Sequence, residues 1–192
     1  MTRSTTRNTT RSAVALLAAV AALPLAAGPA LAHDRGTEQP SAAAEHARDG
    51  VGRTLAQLRH DLSEYQDVDQ ALADGFVPTP DCSSSPAGGM GYHYVNFSRM
   101  MAPIDPAKPS ILLYAPDREG EMKLLGAEWF QADADQDLST ADDRPTLFGQ
   151  PFNGPMPGHE PGMPIHYDLH VWLFKANPDG VFAPWNPRVT CP

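Results

Sequence analysis

Residues 163–174, Met-Pro-Ile-His-Tyr-Asp-Leu-His-Val-Trp-Leu-Phe, alternate strictly in character. Ile165, Tyr167, Leu169, Val171 and Leu173 fall on one face of an extended chain, and His166, Asp168 and His170 on the other. The pattern predicts a strand over residues 165–174 with an apolar core on one side and a polar site on the other. Trp172 and Phe174 continue the polar face, which gives that site an aromatic margin. Three further segments, residues 91–97, 110–115 and 122–131, have the β-branched and aromatic content of strands. Asp117-Arg118-Glu119-Gly120 reads as a hairpin turn between the second and third of them. Asn177-Pro178-Asp179-Gly180 reads as a turn into a short final strand at Val181-Phe182.

The period changes toward the N-terminus. Val51, Leu55, Leu58, Leu62 and Tyr65 recur at spacings of four and three, the apolar stripe of an amphipathic helix beginning near Ala42. A second short helix follows, with Asp67 as its cap, Val68, Ala71 and Leu72 facing inward, and Gly75 as its stop. Such a helix needs an apolar surface to cover, and the sheet supplies it. The expected fold is α+β: an N-terminal amphipathic helix packed on a mostly antiparallel sheet with long Pro/Gly-rich loops. Pro103, Pro106 and Pro109 mark one loop, and Pro151, Pro155, Pro157, Pro161 and Pro164 a longer one. Loops of that length in one domain are often functional.

The first 32 residues read as a secretory signal peptide. Arg3, Arg7 and Arg11 make a basic start, residues 13–27 are small and apolar, and Ala30-Leu31-Ala32 is an A-x-A cleavage site. The apolar run is too short to span a bilayer, and no later segment qualifies. The expected organisation is therefore a signal peptide over residues 1–32, a disordered linker over 33–41 and one domain over 42–192. Cleavage lowers Lys+Arg from 14 to 11 against 23 Asp+Glu, so the net charge moves from −9 to −12. So acidic a chain is a poor match for nucleic acid or an anionic membrane. Cys82 and Cys191 are the two cysteines. In an oxidising compartment an isolated pair is expected to form a disulfide.

The phrases Gly89-Met-Gly-Tyr-His-Tyr-Val-Asn96, Gly158-His-Glu-Pro-Gly-Met-Pro164 and His166-Tyr-Asp-Leu-His-Val-Trp172 resemble a group of small exported bacterial proteins of unknown function. The resemblance covers most of the mature chain. It implies export and a single domain, and no activity.

The chemistry follows from the polar face. With the cysteines paired, histidine and carboxylate are the available ligands for a transition metal, and zinc, copper and iron all fit them. Residues two apart on a strand lie roughly 6.5–7 Å apart and residues four apart about 13 Å. His166 and His170 are therefore not expected to share an ion, while Asp168 can pair with either. His93 and Glu128 must come from other strands, giving a candidate set of His93, Glu128, His166, Asp168 and His170. Gly91 and Gly126, on the faces of His93 and Glu128, are expected to leave open space beside them. The HxH-then-Glu motif of cupins is absent.

Two other readings of the same residues stay open. Tyr92, Tyr94, Asn96 and Tyr167 can satisfy the histidines and Asp168 as a buried hydrogen-bond network. Alternatively Asp168 orients a histidine for acid/base work, although no G-x-S-x-G elbow supplies a nucleophile. His159 and Glu160, in the proline-rich loop, are placed to close over a pocket whose walls include Tyr92, Tyr167 and Trp172. His33 would be the first residue after cleavage, a position used in copper chelation, although a linker follows it. Asp133, Asp135 and Asp137 open like a calcium loop. Leu138 then stands where glycine is expected and Arg144 where glutamate is expected, with Asp142 and Asp143 as substitutes. A solvated acidic turn is the first reading there, and weak extracellular calcium binding the alternative.

These residues support two functions. The first is an exported metal-binding protein, extended in one version to a metal-dependent enzyme. The second is a non-catalytic module that binds a small ligand or an envelope partner, its His/Asp cluster being a hydrogen-bond network.

Overall fold

Alternation along the strand segments builds a six-stranded antiparallel sheet in the order β1-β2-β3-β4-β8-β7. The structure, a computed structural model, describes residues 41–192. The signal-peptide segment, most of the linker and His33 lie outside the described residues. The strands are β1 (Val77–Ser85), β2 (Gly88–Val95), β3 (Ile111–Pro116), β4 (Met122–Ala132), β7 (Asn153–Met156) and β8 (His166–Val171). A two-stranded ribbon of β5 (Thr146–Leu147) and β6 (Gln150–Pro151) sits between β4 and β7 in the chain. Helix α1 (Ala42–Asp61), a 3₁₀ turn (Leu62–Gln66) and α2 (Val68–Ala73) precede the sheet. A single turn, α3 (Phe97–Met100), follows β2.

Each helix end has a local cause. The Ser41 hydroxyl accepts the Ala44 N–H at the start of α1, and the Asp67 carboxylate accepts the Asp69 N–H at the start of α2. Gly75, at φ +87°, ends α2, where the Phe76 N–H reaches the Ala71 carbonyl. Leu58, Leu62, Tyr65, Ala71 and Phe76 are buried in one apolar cluster with Tyr94, Leu112, Tyr114, Ala127, Trp129, Tyr167, Leu169 and Val171 from the sheet. The Tyr114 hydroxyl donates to the Tyr65 carbonyl at 2.5 Å, a buried tie between sheet and helical segment. Leu72, expected to face inward, is 44 % exposed, because α2 lasts only six residues and Ala71 takes the inward position.

The second face of the sheet carries its own smaller apolar cluster: Val95, Ile111, Leu113, Ala115, Leu125, Phe130, Trp172 and Val189. The polar residues of β2, β4 and β8 are embedded on this face, so both sides of the sheet are largely dry.

Several sequence expectations change. Residues 77–85, which lie outside the expected strands, form β1; it is an edge strand, where the missing N–H groups of Pro78 and Pro80 are tolerated. The long proline loop contains β7, which pairs with the outer side of β8 and makes β8 an interior strand. Phe97 begins a helical turn rather than ending β2, because the Asn96 side chain caps it through the Arg99 N–H. Val181 and Phe182 form no strand, although the Val181 carbonyl accepts the Trp172 N–H at 2.9 Å.

Cys82 and Cys191 are disulfide-bonded with Cα atoms 5.6 Å apart, joining edge strand β1 to the C-terminus. The Gly89–Asn186 bridge lays the C-terminal segment along the start of β2 nearby. The bond closes a separation of 109 residues, worth about 4–5 kcal/mol in the chain-entropy model. Replacing both cysteines by alanine is expected to lower the unfolding free energy by about 2–5 kcal/mol with the fold retained. Urea unfolding followed by tryptophan fluorescence checks this, and an unchanged midpoint contradicts it.

Candidate metal centre

Strand register brings three of the five candidate ligands together. β4 and β8 pair so that Glu128 lies opposite His170, Phe130 opposite Asp168 and Ala132 opposite His166. Cross-strand partners point to the same face, so Glu128 and His170 share the smaller apolar side. On the other flank of β3, His93 of β2 pairs with Leu113. A bulge in β4 between the partners of Leu113 and Tyr114 leaves Leu125 extra, and Glu128 faces Ile111. The His93 imidazole and the Glu128 carboxylate meet across β3.

The distances are short. His93 Nε2 lies 3.2 Å from Glu128 Oε2, and His170 Nε2 lies 3.4 Å from the same oxygen. One ligand atom from each of the three residues falls within 4.8 Å of the others, so this trio can hold a metal ion. All three are buried or nearly so, with His170 fully covered and His93, at 9 % exposed, the most accessible. Glu128 Oε2 and both His170 ring nitrogens have no hydrogen-bond partner. Buried polar atoms are nearly always hydrogen-bonded; these three instead make ion-pair contacts at 3.2–3.5 Å with His93, Asp168 and one another.

Asp168 stands behind His170. Its Oδ1 lies 3.5 Å from His170 Nδ1, an electrostatic contact without hydrogen-bond geometry, and accepts the Asn153 side-chain amide at 3.2 Å. A carboxylate on the far nitrogen of a ligating histidine sets the ring's orientation and leaves the other nitrogen facing the site. Asn153 belongs to β7, which the sequence reading passed over; its register with Asp168 completes this chain of contacts.

His166 lies four residues from His170 and does not join them. Its ring stacks on Phe130 at 4.9 Å, and its Nδ1 lies 3.1 Å from the Pro164 carbonyl. His159 is exposed in the loop before β8, its ring 5.5 Å from that of His166, and Glu160 beside it is exposed too. Trp172 joins the smaller apolar cluster and donates its ring N–H to the Ala183 carbonyl at 2.6 Å. Tyr92 is half-buried at the edge of the larger cluster. The tyrosines do not serve the histidines: Tyr167 turns to the opposite face and donates to Asp143 at 2.7 Å, and the Tyr94 ring packs at a tilt of 51° against Tyr114, centroids 4.5 Å apart. Asn96 donates to the Asp74 carbonyl at 3.0 Å.

The glycines have a different role from the one expected. A Cβ on Gly126 would come within 2.3 Å of the Val171 carbonyl oxygen, and one on Gly91, at φ +93°, within 2.3 Å of the Tyr114 carbonyl oxygen. They permit close backbone approach between strands and leave no open space beside the site. The surface grooves also lie elsewhere. One runs between α1 and the loop at Pro106, and another lies beside the disulfide.

Burial disfavours the charged form of His170, but Glu128 and Asp168 outweigh it and raise its pKa to about 9. Burial opposes ionisation of Asp168, and His170, followed by the Asn153 amide and His166, holds it below the ordinary carboxylate value. Burial lowers the pKa of His166, against the opposing pull of the Pro164 carbonyl and Asp168. Without metal, the centre is therefore a charged His170 held between carboxylates.

Comparison with protein-family models, curated proteins and solved structures finds no match. The case for this site rests on its own geometry.

The pH dependence follows. A histidine raised from about 6.5 to about 9 stabilises the fold fully below its unfolded pKa, and that contribution is lost as pH rises through about 9. The lowered Asp168 stabilises above the unfolded carboxylate pKa and loses that contribution as pH falls through its folded value. In chelator, stability is expected to be greatest between about pH 4 and 6.5 and to fall toward pH 9. His170→Gln should cost most near pH 6 and little above pH 9. Urea unfolding across that range checks it; a cost independent of pH contradicts the charged state of His170.

Proposed function

We propose that this is an exported protein that binds a divalent transition metal through His93, Glu128 and His170. The observation that carries the reading is the convergence of three donors from three strands on one buried point, where Glu128 Oε2 and the His170 nitrogens make ion-pair contacts and no hydrogen bond. Two imidazoles and one carboxylate suit zinc, copper or iron. Three protein ligands leave at least one coordination position for water or a substrate atom, the condition for a metal-dependent enzyme. When bound, the ion would supply Lewis acidity, or redox capacity if it is copper or iron. The chain's own contribution is to hold His93 and Glu128 across β3, orient His170 through Asp168 and Asn153, and keep bulk water away. Export is supported by the N-terminal basic, apolar and A-x-A pattern and by the Cys82–Cys191 disulfide; no helix among the described residues is long and apolar enough to cross a membrane.

One observation favours a second reading. His93, Glu128, His170 and Asp168 already form a continuous chain of charge contacts at 3.2–3.5 Å. That chain can serve as a structural ion-pair network in a module that binds a ligand or envelope partner elsewhere.

Calorimetric titration of the mature, tag-free protein with zinc separates the two. One equivalent is expected to bind, more tightly as pH rises from 6.5 to 9, because His170 must give up its proton. Asp168→Asn is expected to weaken binding about 10–100-fold, and His93→Ala or Glu128→Gln more. Because His93 is the least buried of the three, its alanine variant is the one expected to stay folded. Metal at 100 times its dissociation constant should add about 2.7 kcal/mol to stability. Full zinc affinity in folded His93→Ala protein contradicts the site.

A further inference from the structure

We infer that the loop after β4 holds a second cation site, of oxygen ligands from Asp133, Asp135 and Asp143, whose ion is a hard divalent cation of the calcium type. The central observation is Asp133. It is 2 % exposed, and neither of its carboxylate oxygens has a hydrogen-bond partner. Its N–H donates to the Ile165 carbonyl at 2.9 Å, which ties the start of the loop to the end of the sheet. Asp135 follows two residues along, and Asp143 accepts the N–H of the adjacent Ala134; burial first, and then these two carboxylates, raise the Asp133 pKa. An unpaired buried carboxylate facing two more is costly unless a proton or a cation shares the space.

The flanking carboxylates are held in place. Asp143 accepts the Ala134 N–H at 2.8 Å and the Tyr167 hydroxyl at 2.7 Å. Asp135 accepts the Asp137 N–H at 2.9 Å and the Thr140 hydroxyl at 2.8 Å. Each oxygen keeps a lone pair free. Among the described residues no lysine or arginine forms an ion pair with these three; Arg144, next in the chain, donates instead to the Gly154 carbonyl. Asp137, the third residue of the calcium-loop pattern, is spent on a local turn through the Ser139 N–H and hydroxyl. Asp143 takes its place. The three carboxylates do not close as tightly as the His93–Glu128–His170 donors do. An ion there would complete its shell with water and carbonyl oxygens and be held weakly. The all-oxygen donor set excludes the soft and borderline preferences of the first centre.

Terbium luminescence tests this in the full mature chain, because Tyr167 hydrogen-bonds to Asp143 and is close enough to sensitise a lanthanide there. One saturable signal is expected, displaced by calcium with a dissociation constant of about 10⁻⁴–10⁻³ M. Asp133→Asn should weaken it at least tenfold, and His93→Ala should leave it unchanged, so the outcome does not depend on the transition-metal centre. Absence of a saturable, calcium-displaceable signal, or wild-type affinity in Asp133→Asn, overturns the site. Melting gives an independent readout. In chelator Asp133→Asn should melt at or above wild type, because a buried unpaired charge is gone, and calcium should raise only the wild type. A variant that melts lower by the same amount with and without calcium assigns Asp133 a structural role and overturns the inference.

Discussion

The pairing of β4 with β8 is the constraint on which the rest depends. Because side chains alternate along a strand, the register that sets Glu128 opposite His170 also sends Trp129 and Leu169 to the helix-covered core. A slip of one residue would bury charges among Leu58, Leu62 and Tyr65 and turn the core residues of β8 to the smaller apolar face. The hydrophobic pattern therefore enforces the polar geometry: the larger apolar cluster locks the strands, and the locked strands present the histidines and the glutamate. Gly126 contributes by letting the Val171 carbonyl approach closely, which any side chain at that position would prevent.

The environment then decides what the polar trio can do. It sits within a ring of apolar side chains that includes Leu113, Leu125, Phe130 and Trp172, and in such surroundings charge interactions are strong and unpaired groups costly. A proton on His170 or a metal ion can each balance Glu128. The two would compete for the same nitrogen, so in the proposed reading the ion-pair network and a bound metal are alternative states of one arrangement.

Much of this was legible in the residues. The alternation from Ile165 to Leu173 predicts β8 and its two faces, and the spacing from Val51 to Tyr65 predicts the helix whose later residues enter the core. The strand rise explains why His166 and His170 part company. Less visible was β7, hidden in a Gly/Pro-rich stretch where four residues carry no alternation, and with it the Asn153–Asp168 contact and the interior position of β8. The roles of Gly91 and Gly126 were also hidden, since sequence shows a missing side chain but not the carbonyl pressed against it. Tyr167 misleads for a related reason: its neighbours in sequence are site residues, but its face is the other one. Asp143 was one of two substitutes offered by the acidic pattern, and its bonds to Ala134 and Tyr167 single it out over Asp142.

Elemental analysis of the mature chain, residues 33–192, exported and purified without a histidine tag, tests the central claim most directly. The account predicts one transition-metal ion per chain, lost when His93 and Glu128 are replaced together. No metal as purified, and none after reconstitution with zinc, copper and iron, would contradict it and leave His93, Glu128 and His170 as a structural ion-pair network.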